Sequence, residues 1–195
     1  MPVDFSRYYN LETYLFEDVH LRFHRDGYLS AFDFFSIVIW KANRAKTLIA
    51  RRLLIKAQTE ELDSAVRLLS HSIYLADTKR ERLRILLEDW GFHPPMASVI
   101  LTVLWPDFFT VYDVRACEQL GRFRELANRT RFDKIWAQYI MFRDAVAEVG
   151  PDGTSLRDKD RYLWAKSSAS QLDEDIARCF VNPGLPLSST DEPKQ

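Results

Sequence analysis

One carboxylate stands out by its placement. Asp113 follows an extended apolar arm, Phe108 to Tyr112, and precedes Val114-Arg115-Ala116, which suits the first turn of a helix. A carboxylate held at such a junction among aromatic side chains can stabilise a developing cation and orient or deprotonate a water molecule. The same position makes a good helix N-cap, and one residue can serve both roles. Trp40, Trp105, Phe109, Tyr112 and Tyr139 are the aromatic candidates to line a pocket around it, although each also reads as core at helical or extended spacing. His20 and His24 share a helical face with Glu17 one turn earlier. That spacing suits a metal, but no third strong ligand group follows, so no metal is expected and the histidines read as polar-face residues.

The elements that must position Asp113 lie between Leu86 and Leu120. The end of a polar-faced helix runs into a tight turn, Gly91-Phe92-His93-Pro94-Pro95, and a small-residue helix follows from Met96 to Leu104. Ala97 and Ser98 on that helix allow close approach of a neighbour. Upstream, Leu11, Leu15, Val19 and Phe23 recur at fourfold spacing and predict a helix over 11–25. Ser30 with Asp33 resembles a capping box ahead of the apolar run Phe34 to Trp40. Periodicity resumes over 44–56 after a break at which Asn43 is the expected N-cap. Leu62, Val66, Leu69 and Ile73 form the stripe of another helix, and Thr78 can cap the one leading into Trp90. Phe132 to Val149 is a long amphipathic helix broken by Pro151-Asp152-Gly153, and a charged helix begins near Arg157. Its alternating Arg and Asp residues suggest ion pairs with neighbouring helices. The expectation is an all-α domain over 1–181, with a mobile Pro/Ser/Asp-rich tail from Asn182.

Composition supports a folded core: 47% of the 195 residues are hydrophobic and 13% aromatic, enough for one domain. Two cysteines, Cys117 and Cys179, are too few for a disulfide scaffold, and no signal peptide or long apolar run is visible. A cytoplasmic protein without membrane contact is expected. The net charge of -1 does not advertise nucleic-acid binding, but its distribution is uneven. No acid occurs from Phe34 to Thr59, whereas Lys41, Arg44, Lys46, Arg51, Arg52 and Lys56 all fall there. Such a run is either a phosphate-binding patch or a solvated helix face.

The ordered series of helix, hairpin, helix, arm and acid resembles the core of the helix-hairpin-helix DNA glycosylases, over about residues 31–145. Their motif runs roughly L-P-G-V-G-x-K-T-A, then an apolar helix, then V-D-x-H/N. Gly91 matches the first hairpin glycine, Phe92 the apolar residue after it, and Ala97 the alanine of the second helix. Val111-Tyr112-Asp113 ends 16 residues beyond Ala97, where the family carries its catalytic aspartate. The chain departs from the pattern at the second glycine, which is His93, and at Pro94 and Pro95. The family's hairpin offers backbone N–H groups to a DNA phosphate, and proline has none to offer.

The resemblance implies a monofunctional DNA glycosylase that flips a damaged or modified base out of double-stranded DNA and hydrolyses its N-glycosidic bond. Asp113 would be the catalytic residue. Gly91, Phe92, His93, Lys41, Asn43, Arg44, Lys46 and Arg115 would contact DNA, with Asn43 in the loop that enters the duplex near the vacated base. Pro95 falls where the lyase members carry their Schiff-base lysine. Two cysteines cannot hold the family's four-cysteine iron–sulfur cluster. The enzyme is expected to be a monomer without a cofactor, bound to the nucleoid when engaged on DNA. Two alternatives remain open: a non-catalytic DNA-binding module of the same fold, and an all-α protein-interaction domain.

Overall fold

The computed structural model describes residues 5–180, so the tail expected from Asn182 lies outside the described residues. Among the described residues the chain is all-helical, and no helix is long and apolar enough to cross a membrane. A 3-10 turn, Phe5–Tyr8, precedes α1, Leu11–Thr13. The same helical path widens to π geometry over Tyr14–Val19 and returns to α geometry in α2, His20–Asp26. Then come α3, Ala31–Ala42, a 3-10 turn at Asn43–Ala45, α4, Lys46–Ala57, and α5, Leu62–Leu75. The helix α6, Lys79–Arg84, runs on as a π turn over Ile85–Asp89 into the hairpin. The remaining helices are α7, Pro94–Leu104, α8, Val114–Leu120, α9, Phe132–Ala147, and α10, Leu156–Ala177.

Local chemistry sets most of these boundaries. Ser30 accepts the Asp33 amide at 3.1 Å, and Thr78 accepts the Glu81 amide at 3.1 Å, as their sequence positions predict. Asn43 departs from expectation. It is the first residue of the 3-10 turn rather than a side-chain cap, because the break falls at Ala42 (φ -158°, ψ 81°) and the Asn43 Oδ1 is taken by Lys46 Nζ at 2.9 Å. The second hairpin helix starts at Pro94, earlier than Met96, since the first turn needs no amides from its opening residues and proline's fixed φ suits it. The last helix starts at Leu156, where Ser155 Oγ accepts the Asp158 amide at 3.1 Å.

One continuous core runs from Tyr14 to Leu163, with Phe23, Phe34, Phe109, Tyr139 and Phe142 fully buried. Polar anchors fasten helices to one another around it. Buried Asp33 accepts Tyr14 Oη at 2.6 Å and Arg22 Nη2 at 2.6 Å, tying the π turn and α2 to α3. His20 and His24 donate ring N–H groups to the Val103 and Leu104 carbonyls at 3.1 and 2.7 Å. The expected metal-like spacing therefore serves to satisfy the end of α7.

The arm 108–112 is the fold's least ordinary feature. Phe108 closes a turn, and Phe109, Thr110, Val111 and Tyr112 are buried outside any helix, so side chains supply partners for their backbone groups. Tyr139 Oη accepts the Thr110 amide at 3.0 Å and donates to the Thr110 carbonyl at 2.8 Å. Ser98 Oγ accepts the Tyr112 amide at 2.9 Å, which joins α7 directly to the arm. Tyr112 Oη donates to the Phe123 carbonyl at 2.9 Å. The arm is pinned at three points, and Asp113 is its next residue.

Candidate active site

Asp113 is N-cap to α8: its Oδ1 accepts the Ala116 amide at 2.9 Å, and its Oδ2 pairs with Lys41 Nζ at 3.2 Å. The capping reading and the site reading are both realised in one residue, because the carboxylate also lines a cavity of about 420 Å³. From α1 the cavity wall takes Glu12, from α3 Trp40 and Lys41, and from the arm Val111. The remaining wall is α10, which contributes Arg157, Asp160, Arg161, Trp164 and Ala165. A cavity of this size, part aromatic and with a few converging polar groups, suits a small planar ligand.

Charge in the cavity is balanced: Glu12, Asp113 and Asp160 face Lys41, Arg157 and Arg161. Arg157 is the hub. It donates to Asp160, and its Nη2 lies 2.5 Å from Glu12. Its guanidinium lies over the rings of Phe16 and Trp40, 4.9 and 5.1 Å from their centroids. Arg161 Nε adds a second contact to Glu12 at 2.8 Å. Burial alone would raise the Glu12 carboxyl, but these two guanidiniums outweigh it and hold Glu12 below the usual carboxylate range. Asp160 goes the other way. Burial dominates, Arg157 only partly offsets it, and the charge of Asp113 adds to it, so the carboxyl is pushed up to about 6.

The residues singled out from sequence divide clearly. Asp113 and Trp40 line the cavity, and so does Lys41, which faces inward to Asp113 rather than outward to solvent. Phe109, Tyr112 and Tyr139 belong to the core, where Tyr112 and Tyr139 hydrogen-bond to backbone groups, and none of the three lines the cavity. Trp105 sits against Phe23 and His24 beneath the Arg82 guanidinium, away from the cavity. Asn43, Arg44, Lys46 and His93 are exposed. Arg115 lies 5.2 Å above the Trp164 ring centroid and donates to Ser168, so it braces α8 against α10.

At the hairpin, Phe92 is a core residue packed toward Phe34 and its amide donates to the Leu86 carbonyl at 2.9 Å. Arg52 Nη1 takes the Gly91 carbonyl at 2.6 Å. The side chain and the amide of Phe92 are thus both used inside the fold. Gly91 holds φ +69°, a conformation that favours glycine and allows the reversal.

Glu12, Arg157, Asp160, Arg161 and Trp164 were not singled out from sequence. The signal was present on α10: residues 157, 160, 161 and 164 fall on one helical face, which the alternation of Arg and Asp marked only as ion pairing. Those ion pairs are found, to Glu12 across helices and within α10 itself. Among the described residues no group of three or more His, Cys, Asp or Glu is placed to hold a metal ion. Comparison with protein-family models, curated proteins and solved structures finds no match for the chain.

Proposed function

We propose that this chain is a monofunctional DNA glycosylase of the helix-hairpin-helix type, hydrolysing the N-glycosidic bond of a base flipped out of double-stranded DNA. The observation that carries the reading is the meeting of Asp113 with Trp40 and Trp164 on a cavity of about 420 Å³. A flipped base needs stacking surfaces, and its sugar needs a nearby anion as oxocarbenium character develops at C1′. Asp113 supplies the anion and accepts a proton from the attacking water. The pinned arm fixes its position before substrate arrives, which spares reorganisation at the moment of reaction. Lys41 holds one carboxylate oxygen, and the exposed cations Arg44 and Lys46, which follow it in the chain, would meet phosphates. The hairpin contributes less to phosphate binding than its counterpart in the family, since Pro94 and Pro95 have no N–H and the Phe92 amide is occupied.

One observation favours a bifunctional variant of the same chemistry. Although Pro95 replaces the family's lysine, the Lys41 amine lies in the cavity wall 3.2 Å from Asp113. Both readings are tested on duplexes carrying a panel of damaged and modified bases. Hot alkali after incubation should reveal abasic sites for wild type and none for Asp113→Asn, a variant that keeps the cap and removes the charge. A drop of about 100-fold or more in base release is expected. Borohydride trapping of a protein–DNA adduct would assign the second step to Lys41. Salt-sensitive DNA binding with no base release from any duplex would instead support a non-catalytic module.

A further inference from the structure

The cavity holds a second carboxyl for which a single-acid hydrolysis has no use. Asp160 projects from the buried face of α10, in register with buried Leu163 and Ser167, and still reaches the cavity wall. Charged groups face it from several elements: Arg157 and Arg161 on its own helix, Asp113 at the start of α8, Lys41 on α3, and Glu12 on α1 through Arg157. The Tyr139 hydroxyl of α9 senses its charge through the core. Of the cavity's three carboxyls, Glu12 is held between Arg157 and Arg161, and Asp113 pairs with Lys41 and caps α8. Asp160, paired with Arg157, is the most deeply buried of the three, so their environments drive protonation apart. Paired carboxyls of this kind divide into acid and base.

Resting on the glycosylase reading, we propose that Asp160 is the general acid that protonates the departing base, and that the substrate class is a neutral purine. In the step, the C1′–N bond breaks and its electron pair moves to the base. The Asp160 carboxyl gives its proton to a purine ring nitrogen. Water forms the new C1′–O bond and yields a proton to the Asp113 carboxylate. The products are the free base and an abasic sugar, and the sum is one water consumed. A base that already bears a positive charge leaves without this help. A pyrimidine leaves from N1 with no comparable basic ring nitrogen, whereas a neutral purine offers one. The cavity's two tryptophans and its volume suit a bicyclic ring. Burial keeps the Asp160 carboxyl protonated to about pH 6, well above its ordinary range.

The test measures single-turnover base release from duplexes holding hypoxanthine, 8-oxoguanine, mispaired adenine or cationic 7-methylguanine. Wild type should release at least one neutral purine, and Asp160→Asn should slow that release by about 100-fold or more. The same variant should slow any 7-methylguanine release by less than about tenfold, while Asp113→Asn abolishes both. If Asp160→Asn does not fold, the wild-type pH profile decides instead: release of the neutral purine should decline above about pH 6, and release of the cationic base should not. Equal loss on both substrates, loss on neither, or wild-type release of cationic bases alone overturns the role of Asp160. No release of any base by wild type overturns the glycosylase reading itself.

Discussion

Replacing Asp160 by asparagine should alter how stability depends on pH, independently of any catalysis. The carboxyl has an ordinary value of 3.8 and is pushed up to about 6 in the fold, chiefly by burial. Between those values the native chain holds a proton that the unfolded chain has released. Stability from this group is therefore greatest at low pH and is lost as pH rises through about 6. By linkage the loss is about 1.6 kcal/mol at pH 5 and about 3 kcal/mol at pH 7. Asparagine is nearly isosteric, still accepts from Arg157, and does not titrate. Wild type should therefore lose about 1.3 kcal/mol relative to Asp160→Asn between pH 5 and pH 7. Urea unfolding of both proteins at the two pH values measures this, with equal m-values as the check that the unfolded states match. The comparison of two proteins matters because Glu12 shifts the opposite way and weakens both on the acid side. A difference that is constant with pH, or that shifts toward wild type from pH 5 to pH 7, would mean that Arg157 keeps Asp160 ionised throughout and would refute the argument.

Two further outcomes follow from the scaffold around the site. Tyr139→Phe leaves the Thr110 amide and carbonyl without partners in the core, so chemical denaturation should register a loss of about 2–3 kcal/mol while base selectivity stays unchanged. A change of selectivity at unaltered stability would return Tyr139 to the pocket. Gly91→Ala meets no atom within 4 Å, so its cost is the left-handed backbone alone, about 1 kcal/mol. Thermal melting should fall by about 2–4 °C, and a much larger drop would mean that the hairpin is held by contacts the geometry does not include.

What was legible in the sequence was what depends on near neighbours. Helix starts at Ser30, Thr78 and Asp113 rest on a side chain and an amide three residues away, and each is found. The arm was readable as a link between helices because aromatic and β-branched residues end at an N-cap. Its partners were not, since Tyr139 lies 29 residues and Ser98 14 residues from the amides they satisfy. The aromatic candidates could not be sorted from sequence for the same reason. Phe109, Tyr112 and Tyr139 have the composition of a pocket, and only packing reveals that their polar atoms are spent on the backbone. The α10 wall escaped notice because a periodic pattern of Arg and Asp describes a solvated face equally well. That face turns inward at Asp160 because Arg157 and Glu12, 145 residues apart, close over it.

Under the glycosylase proposal a chain of net charge -1 acts on a polyanion, so the distribution of its charge matters. With Asp160 ionised the cavity's three acids and three cations cancel, and with it protonated one positive charge remains, so in either state the cavity exerts little field at a distance. In the acid-free run from Phe34 to Thr59, Lys41 turns inward to Asp113, while Arg44, Lys46, Arg51 and Lys56 remain exposed and, on that proposal, are the cations that would meet phosphates. Buried ion clusters give little net stability, because desolvation consumes most of what pairing returns. The Glu12–Arg157–Asp160 cluster is better understood as a device of position. It ties α10 to α1 across the cavity and leaves Asp160 in an environment that favours its protonated form more than that of Glu12 does.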